Sequence, residues 1–131
     1  MKRYKLPKLR FKTTAIAKQF VDPKLSDRLL SLIYIIQAYC WLQWKKNITI
    51  TELFRTQAEQ DYIYRKVKGY NKKSVHQFWR GCDIRTIGVF SNKQAKEIET
   101  FLNMIYYDSK HNTAKFHDVG MGKHIHAQVK G

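Results

Sequence analysis

Sixteen residues from Leu29 to Trp44 form the longest apolar stretch of the chain, broken only by Ser31, Gln37 and Gln43. That falls short of the ~20 apolar residues needed to cross a bilayer, so no membrane span is expected. Within 25–44, Leu25, Leu29, Leu32/Ile33, Ile36 and Cys40 recur at steps of three and four, the period of a helix with a wide apolar face. Asp22-Pro23 marks the turn before it, and Ser26 is a plausible N-cap. Lys45-Lys46-Asn47 suits the C-terminal end, where positive charge meets the helix dipole. A buried helix of this kind commits the chain to a packed domain.

The rest of the composition agrees. The 131 residues suit one domain, and 44% hydrophobic with 14% aromatic residues are enough to build a core, which excludes a charged disordered tail. Lys and Arg number 25 against 10 Asp and Glu, a formal charge of +15. Such an excess calls for an anionic partner: nucleic acid, a membrane surface, or an anionic polymer such as a bacterial wall. Residues 1–24 read as a basic N-terminal arm, with six Lys or Arg and no acid in 1–12, and 25–131 as a single domain. Cys40 and Cys82 are too few for a disulfide framework and read as buried free thiols. Residues 1–14 have a basic run without an apolar segment behind it, so a chain made in the cytoplasm without a signal peptide is expected.

Further elements follow from periodicity. A short element is expected around Thr14–Phe20, and Ile48–Thr51 alternates like a strand. Ala58, Tyr62, Ile63 and Val67 suggest a helix over 56–67, before a polar, basic loop at 70–75. A strand enters at Gly81 to Ile84, and Ser91 caps a helix over about 92–107 with Ala95, Ile98, Leu102 and Ile105 on one face. Two strands, near 114–119 and 123–129, close the chain around Gly120-Met121-Gly122. The order α, β, α, β, α, β, β reads as an α+β fold with a small, mainly antiparallel sheet packed with helices.

Chemistry concentrates in a few residues. On a strand, His124 and His126 share one face while Ile125 enters the other, an arrangement that fits metal ligands or merely two outward polar groups. Asp83 is the only acid between Asp61 and Glu97 and sits between Cys82 and Ile84 in an apparently buried strand. A buried carboxylate needs a cation or strong hydrogen bonds. Arg80 or Arg85 could supply that, and so could a zinc ion completed by two histidines. A His/His/carboxylate set leaves a fourth position open, the pattern of catalytic rather than structural zinc.

Three stretches in order, ITITELFRTQAEQ (48–60), SVHQFWRGCD (74–83) and KHIHAQV (123–129), resemble the zinc D-Ala-D-Ala carboxypeptidases and L-alanyl-D-glutamate endopeptidases that cut peptidoglycan stem peptides, a family that includes phage endolysins. The resemblance spans about 79 of 131 residues. It implies a Hedgehog/DD-peptidase-like fold and a zinc peptidase of peptidoglycan. It makes His76, Asp83 and His126 the zinc ligands and puts His124 beside the metal as the catalytic residue, a proton shuttle or transition-state stabiliser. Arg55 would grip a stem-peptide carboxylate, with Gln60 and Ser74 lining the site. Lys72, Lys73, Arg80 and Arg85 would form its basic rim.

The chain departs from the family at Trp79, where a glycine is usual, at Gly81, where an alanine is usual, and at Lys123, where some members carry an acidic base. Asp118 is the nearest acid that could serve instead, and His117-Asp118 could support the metal site from behind. Activity at the bacterial wall, after phage-mediated release or within a virion, is what such a monomer would show, with no specific nucleic acid as partner. Two other readings stay open: a non-enzymatic basic nucleic-acid-binding protein, and a wall-binding family member that has lost catalysis.

Overall fold

The computed structural model describes residues 7–63, 65, 75–105, 112–118, 120 and 122–130. It is an α+β fold in which five strands form one mixed sheet. In chain order the elements are β1 (Arg10–Phe11), α1 (Thr14–Phe20), α2 (Asp27–Trp44), β2 (Thr49–Glu52), α3 (Gln57–Ile63), a 3₁₀ turn (Val75–Phe78), β3 (Gly81–Arg85), α4 (Asn92–Ile105), β4 (Ala114–Asp118) and β5 (Lys123–Gln128). The strands lie in the order β1-β2-β3-β5-β4, with β1 parallel to β2 and every other pair antiparallel. Among the described residues no helix is long and apolar enough to cross a membrane.

The apolar stretch becomes α2, begun where Ser26 Oγ accepts the Leu29 amide at 3.3 Å and ended by Lys45 in the left-handed conformation. Leu29, Leu32, Ile33, Ile36 and Cys40 are fully buried, each large aliphatic chain contributing about 1.5–3 kcal/mol by leaving water. They meet Ile98 and Leu102 of α4 and one face of the sheet, where Ile50, Ile84, Ile125 and Phe116 lie opposite one another across four strands. Two polar side chains, buried Gln37 and half-buried Asn103, finish the packing. Gln37 accepts the Ile48 amide at 2.8 Å, and Asn103 of α4 pairs with both backbone groups of Ala114, which satisfies part of the β4 edge.

Within the basic arm, β1 joins this sheet and α1 packs against it. Arg10 and Lys12 donate their amides to Ile48 and Ile50 carbonyls, and Ile16 of α1 joins the core. Nothing in the sequence signalled β1, a two-residue strand without alternation. Cys40 and Cys82 are free, buried thiols. Burial pushes the Cys40 thiol up to about 12 and raises that of Cys82, to which the neighbouring Asp83 adds. The helix expected over 56–67 is described as α3 alone, and most of the loop at 70–75 lies outside the described residues.

Candidate metal centre

The face of the sheet away from α2 carries the polar residues. On β5 the alternation sends Ile125 and Ala127 into the core and leaves His124, His126 and Gln128 together on the other side. Register then places Asp83 of β3 opposite His126, Arg85 opposite His124, and, on the far strand, His117 opposite His124. His76 arrives from outside the sheet on the 3₁₀ turn. That turn is tied to the chain after β2 twice: His76 Nδ1 donates to the Leu53 carbonyl at 3.0 Å, and the Arg55 amide to the His76 carbonyl at 3.4 Å.

Trp79 closes the same turn with a φ of 58°, a left-handed conformation that favours glycine. Such a backbone costs a side-chain-bearing residue about 1–2 kcal/mol. The Trp79 ring stacks on Phe54 at 4.6 Å, Lys24 lies over it at 5.7 Å, and its carbonyl accepts the Ser26 amide, so packing holds what glycine would otherwise permit.

His76 Nε2 and His126 Nδ1 both converge on Asp83 Oδ1, at 3.3 and 2.9 Å. One ligand atom from each of His76, Asp83 and His126 lies within 4.8 Å of the others. The far nitrogens are already engaged: His76 Nδ1 by Leu53, and His126 Nε2 by Gln128 Oε1 at 3.0 Å, while Gln128 Nε2 donates to the Asn112 carbonyl. Each imidazole therefore spends one N–H on a fixed acceptor and turns its other nitrogen to the carboxylate. Facing Asp83, that nitrogen needs either a second proton or a cation between the two groups. Ligands about 2.0–2.1 Å from a tetrahedral ion stand roughly 3.3 Å apart, close to the His76–Asp83 separation. Two imidazoles and a carboxylate, each imidazole fixed through its other nitrogen, fit a divalent transition metal such as zinc.

No protein-family model, curated protein or solved structure matches this chain.

Burial by itself would raise the Asp83 carboxyl, but hydrogen bonds from His126 and His76 and their charge hold it well below the usual carboxylate range. Arg55 faces the other carboxylate oxygen, with Nη2 at 3.6 Å from Asp83 Oδ2 and Nε at 3.5 Å from Glu52 Oε1. Arg55, expected to grip a substrate carboxylate, is thus 5% exposed and already faces two carboxylates of its own chain. His124 Nε2 stands 3.7 Å from Asp83 Oδ2, and its Nδ1 donates to the Gly122 carbonyl at 3.0 Å, which turns Nε2 to the centre.

The remaining expected residues divide. Gln60 lies on α3, its side chain outside the described residues, as are Ser74, His111, Lys72 and Lys73. Arg85 is exposed beside His124, and Arg80 lies over the Phe78 ring at 5.4 Å. Asp118 Oδ1 accepts the Gly120 and Gly122 amides, a turn-forming job at the β4–β5 hairpin. His117 does reach the site, its ring 4.9 Å from His124 and 6.1 Å from His126. Burial lowers its pKa, with the charges of His124, His126 and Lys115 adding to the effect and Asp83 opposing it. Glu52, the salt-bridge partner that the sequence offers Arg55 as an alternative to a substrate carboxylate, reaches the site face through a bulge in β2. Gln128 went unforeseen, though visible as the next same-face position after His124 and His126.

Proposed function

We propose that this chain is a zinc peptidase that hydrolyses amide bonds of peptidoglycan stem peptides, of the D-Ala-D-Ala carboxypeptidase or L-Ala-D-Glu endopeptidase type, on a Hedgehog/DD-peptidase-like fold. The observation that carries this reading is the convergence of His76 Nε2, Asp83 Oδ1 and His126 Nδ1, with the far nitrogen of each imidazole fixed by Leu53 or Gln128. Three ligands of this kind leave a position open, the catalytic pattern. A bound zinc ion supplies Lewis acidity there, which makes water a nucleophile at neutral pH.

The chain's own residues carry the proton. His124 Nε2, its tautomer set by Gly122, takes the proton that the attacking water gives up. The water oxygen joins the carbonyl carbon, the C–N bond breaks, and the proton held at Nε2 passes to the departing amine. Arg55 steadies Asp83 from the side away from His76 and His126. A substrate carboxylate reaches Arg55 in exchange for Glu52, whose side chain is 27% exposed against 12% for Asp83. Gln60 and Ser74 are assigned to the substrate by the resemblance alone.

Digestion of purified peptidoglycan with product mass spectrometry tests the reading. New amine and carboxyl termini are expected, abolished by a chelator and restored by zinc, alongside one zinc per chain that is lost in His76→Ala. A protein that binds no metal and releases no product sinks the proposal.

A further inference from the structure

The site face has a direction. Glu52, Asp83, His126 and Lys115 are consecutive cross-strand partners on β2, β3, β5 and β4, and directly opposed residues point to the same side. Glu52 joins this row through the β2 irregularity, because Ile50 pairs with Ile84 in the core while Glu52, two residues on, pairs with Asp83. The row thus begins at an acid, passes through the metal-competent residues and ends at the exposed Lys115.

An open depression of about 340 Å³ lies at the acid end, lined by Glu52, Ala58, Glu59, Tyr62 and Ile63. Residues 52–61 hold three acids (Glu52, Glu59, Asp61) and one base (Arg55), in a chain where bases outnumber acids 25 to 10. Among the described residues, Glu59 uses only Oε1, which accepts from the Thr56 amide and hydroxyl in a capping box. One face of Tyr62 is covered by Arg65 at 4.0 Å, so the depression offers the rest of that ring with Ala58 and Ile63 as an apolar floor. Carboxylates above such a floor suit an aliphatic chain that ends in an amine, since the methylenes bury and the ammonium stays at the rim.

We propose that a peptide lies across the strands here, with an amine-bearing aliphatic side chain in the Glu52–Glu59 depression and a carboxylate beside Lys115. For its natural substrate this rests on the stem-peptide reading, and it then selects stem peptides that contain a diamino acid with a free amine. Three inter-strand steps of about 4.8 Å separate the two ends by roughly 14 Å, the reach of about four extended residues. A tri- or tetrapeptide with one long side chain spans it.

The test is binding, followed by amide chemical shifts of the full chain with and without zinc. The probes are a lysine-containing tetrapeptide with a free C-terminal carboxylate, its Nε-acetyl derivative and its C-terminal amide. Acetylation is expected to weaken binding about tenfold and to remove the shift changes at 57–63, and amidation to remove those at Lys115. Glu59→Gln, which keeps the cap, should weaken the lysine peptide alone, and Lys115→Gln should erase only the preference for the free carboxylate. Equal affinities for all three peptides, or shift changes elsewhere, overturn the inference even if the protein cleaves peptidoglycan. Ordered binding upholds the inference even if peptidoglycan digestion yields no product, and no binding of any peptide overturns it, while the peptidase reading stands or falls on that digestion alone.

Discussion

Asp83 is where one residue decides most. Asp83 is 8% exposed and its carboxylate stands among His76, His126, His124 and Arg55, so among the described residues its charge is matched, without a metal, by these imidazoles and one guanidinium. Removing a single partner from such a buried cluster costs about 3–5 kcal/mol, because the rest are left unmatched. Asp83→Asn should therefore lower the denaturation midpoint of the metal-free protein at neutral pH by that much. The depressed pKa of Asp83 in the folded state adds a pH signature. The unfolded carboxyl titrates near ~3.9, so the stability it contributes is complete above that value and is lost as pH falls below about 4. Melting curves from pH 2 to 6 in chelator should show the gap between wild type and Asp83→Asn narrowing toward acid. A gap that widens toward acid would mean that the carboxyl is not held ionised by its neighbours.

At the scale of elements, β5 does two jobs that substitution can separate. Ile125 is fully buried on the core face, while Gln128 on the opposite face fixes the far nitrogen of His126. Ile125→Ala should cost about 2–5 kcal/mol in denaturant midpoint through the cavity it leaves. Gln128→Ala should leave the midpoint nearly unchanged yet weaken zinc about 10- to 100-fold in a competition assay with a chromophoric chelator, as loss of a residue that orients a ligand does. A Gln128→Ala protein with unaltered zinc affinity would remove that residue from the site. The same strand shows what periodicity makes legible. Alternation reveals which of 123–128 face the core, and steps of three and four reveal α2 and α4, because both patterns are local. The closeness of His76 to Asp83 is not local: it depends on a non-periodic 3₁₀ turn held by Leu53 and Arg55, on the far side of a segment with no pattern of its own. β1 exists only because Ile48 and Ile50 offer carbonyls to it, and Glu52 reaches the site face through a bulge that strict alternation would have denied. Motif order foresaw the metal-competent residues, whereas their supporting contacts had to be seen.

For the whole molecule, the charge of +15 and the metal centre are separable devices. The candidate centre concentrates acid and imidazole at β3 and β5, while the excess of Lys and Arg is spread over the chain from Lys2 to Lys130. A field of that sign draws the protein to any polyanion without choosing a bond to cut. Adsorption to an anionic wall should then depend on salt and not on the histidines. At low ionic strength the protein should co-sediment with isolated walls, and that fraction should fall severalfold between about 0.05 and 0.5 M salt, as the screening length shrinks from above 10 Å to a few ångströms. His76→Ala should sediment like wild type across the whole range while releasing no peptide fragments. If His76→Ala instead loses adsorption in parallel with cleavage, the wall is held through the metal centre and the net charge has some other use. If adsorption ignores salt, the contact is made by apolar surface, and the exposed Tyr34 and Leu42 of α2 become the place to look.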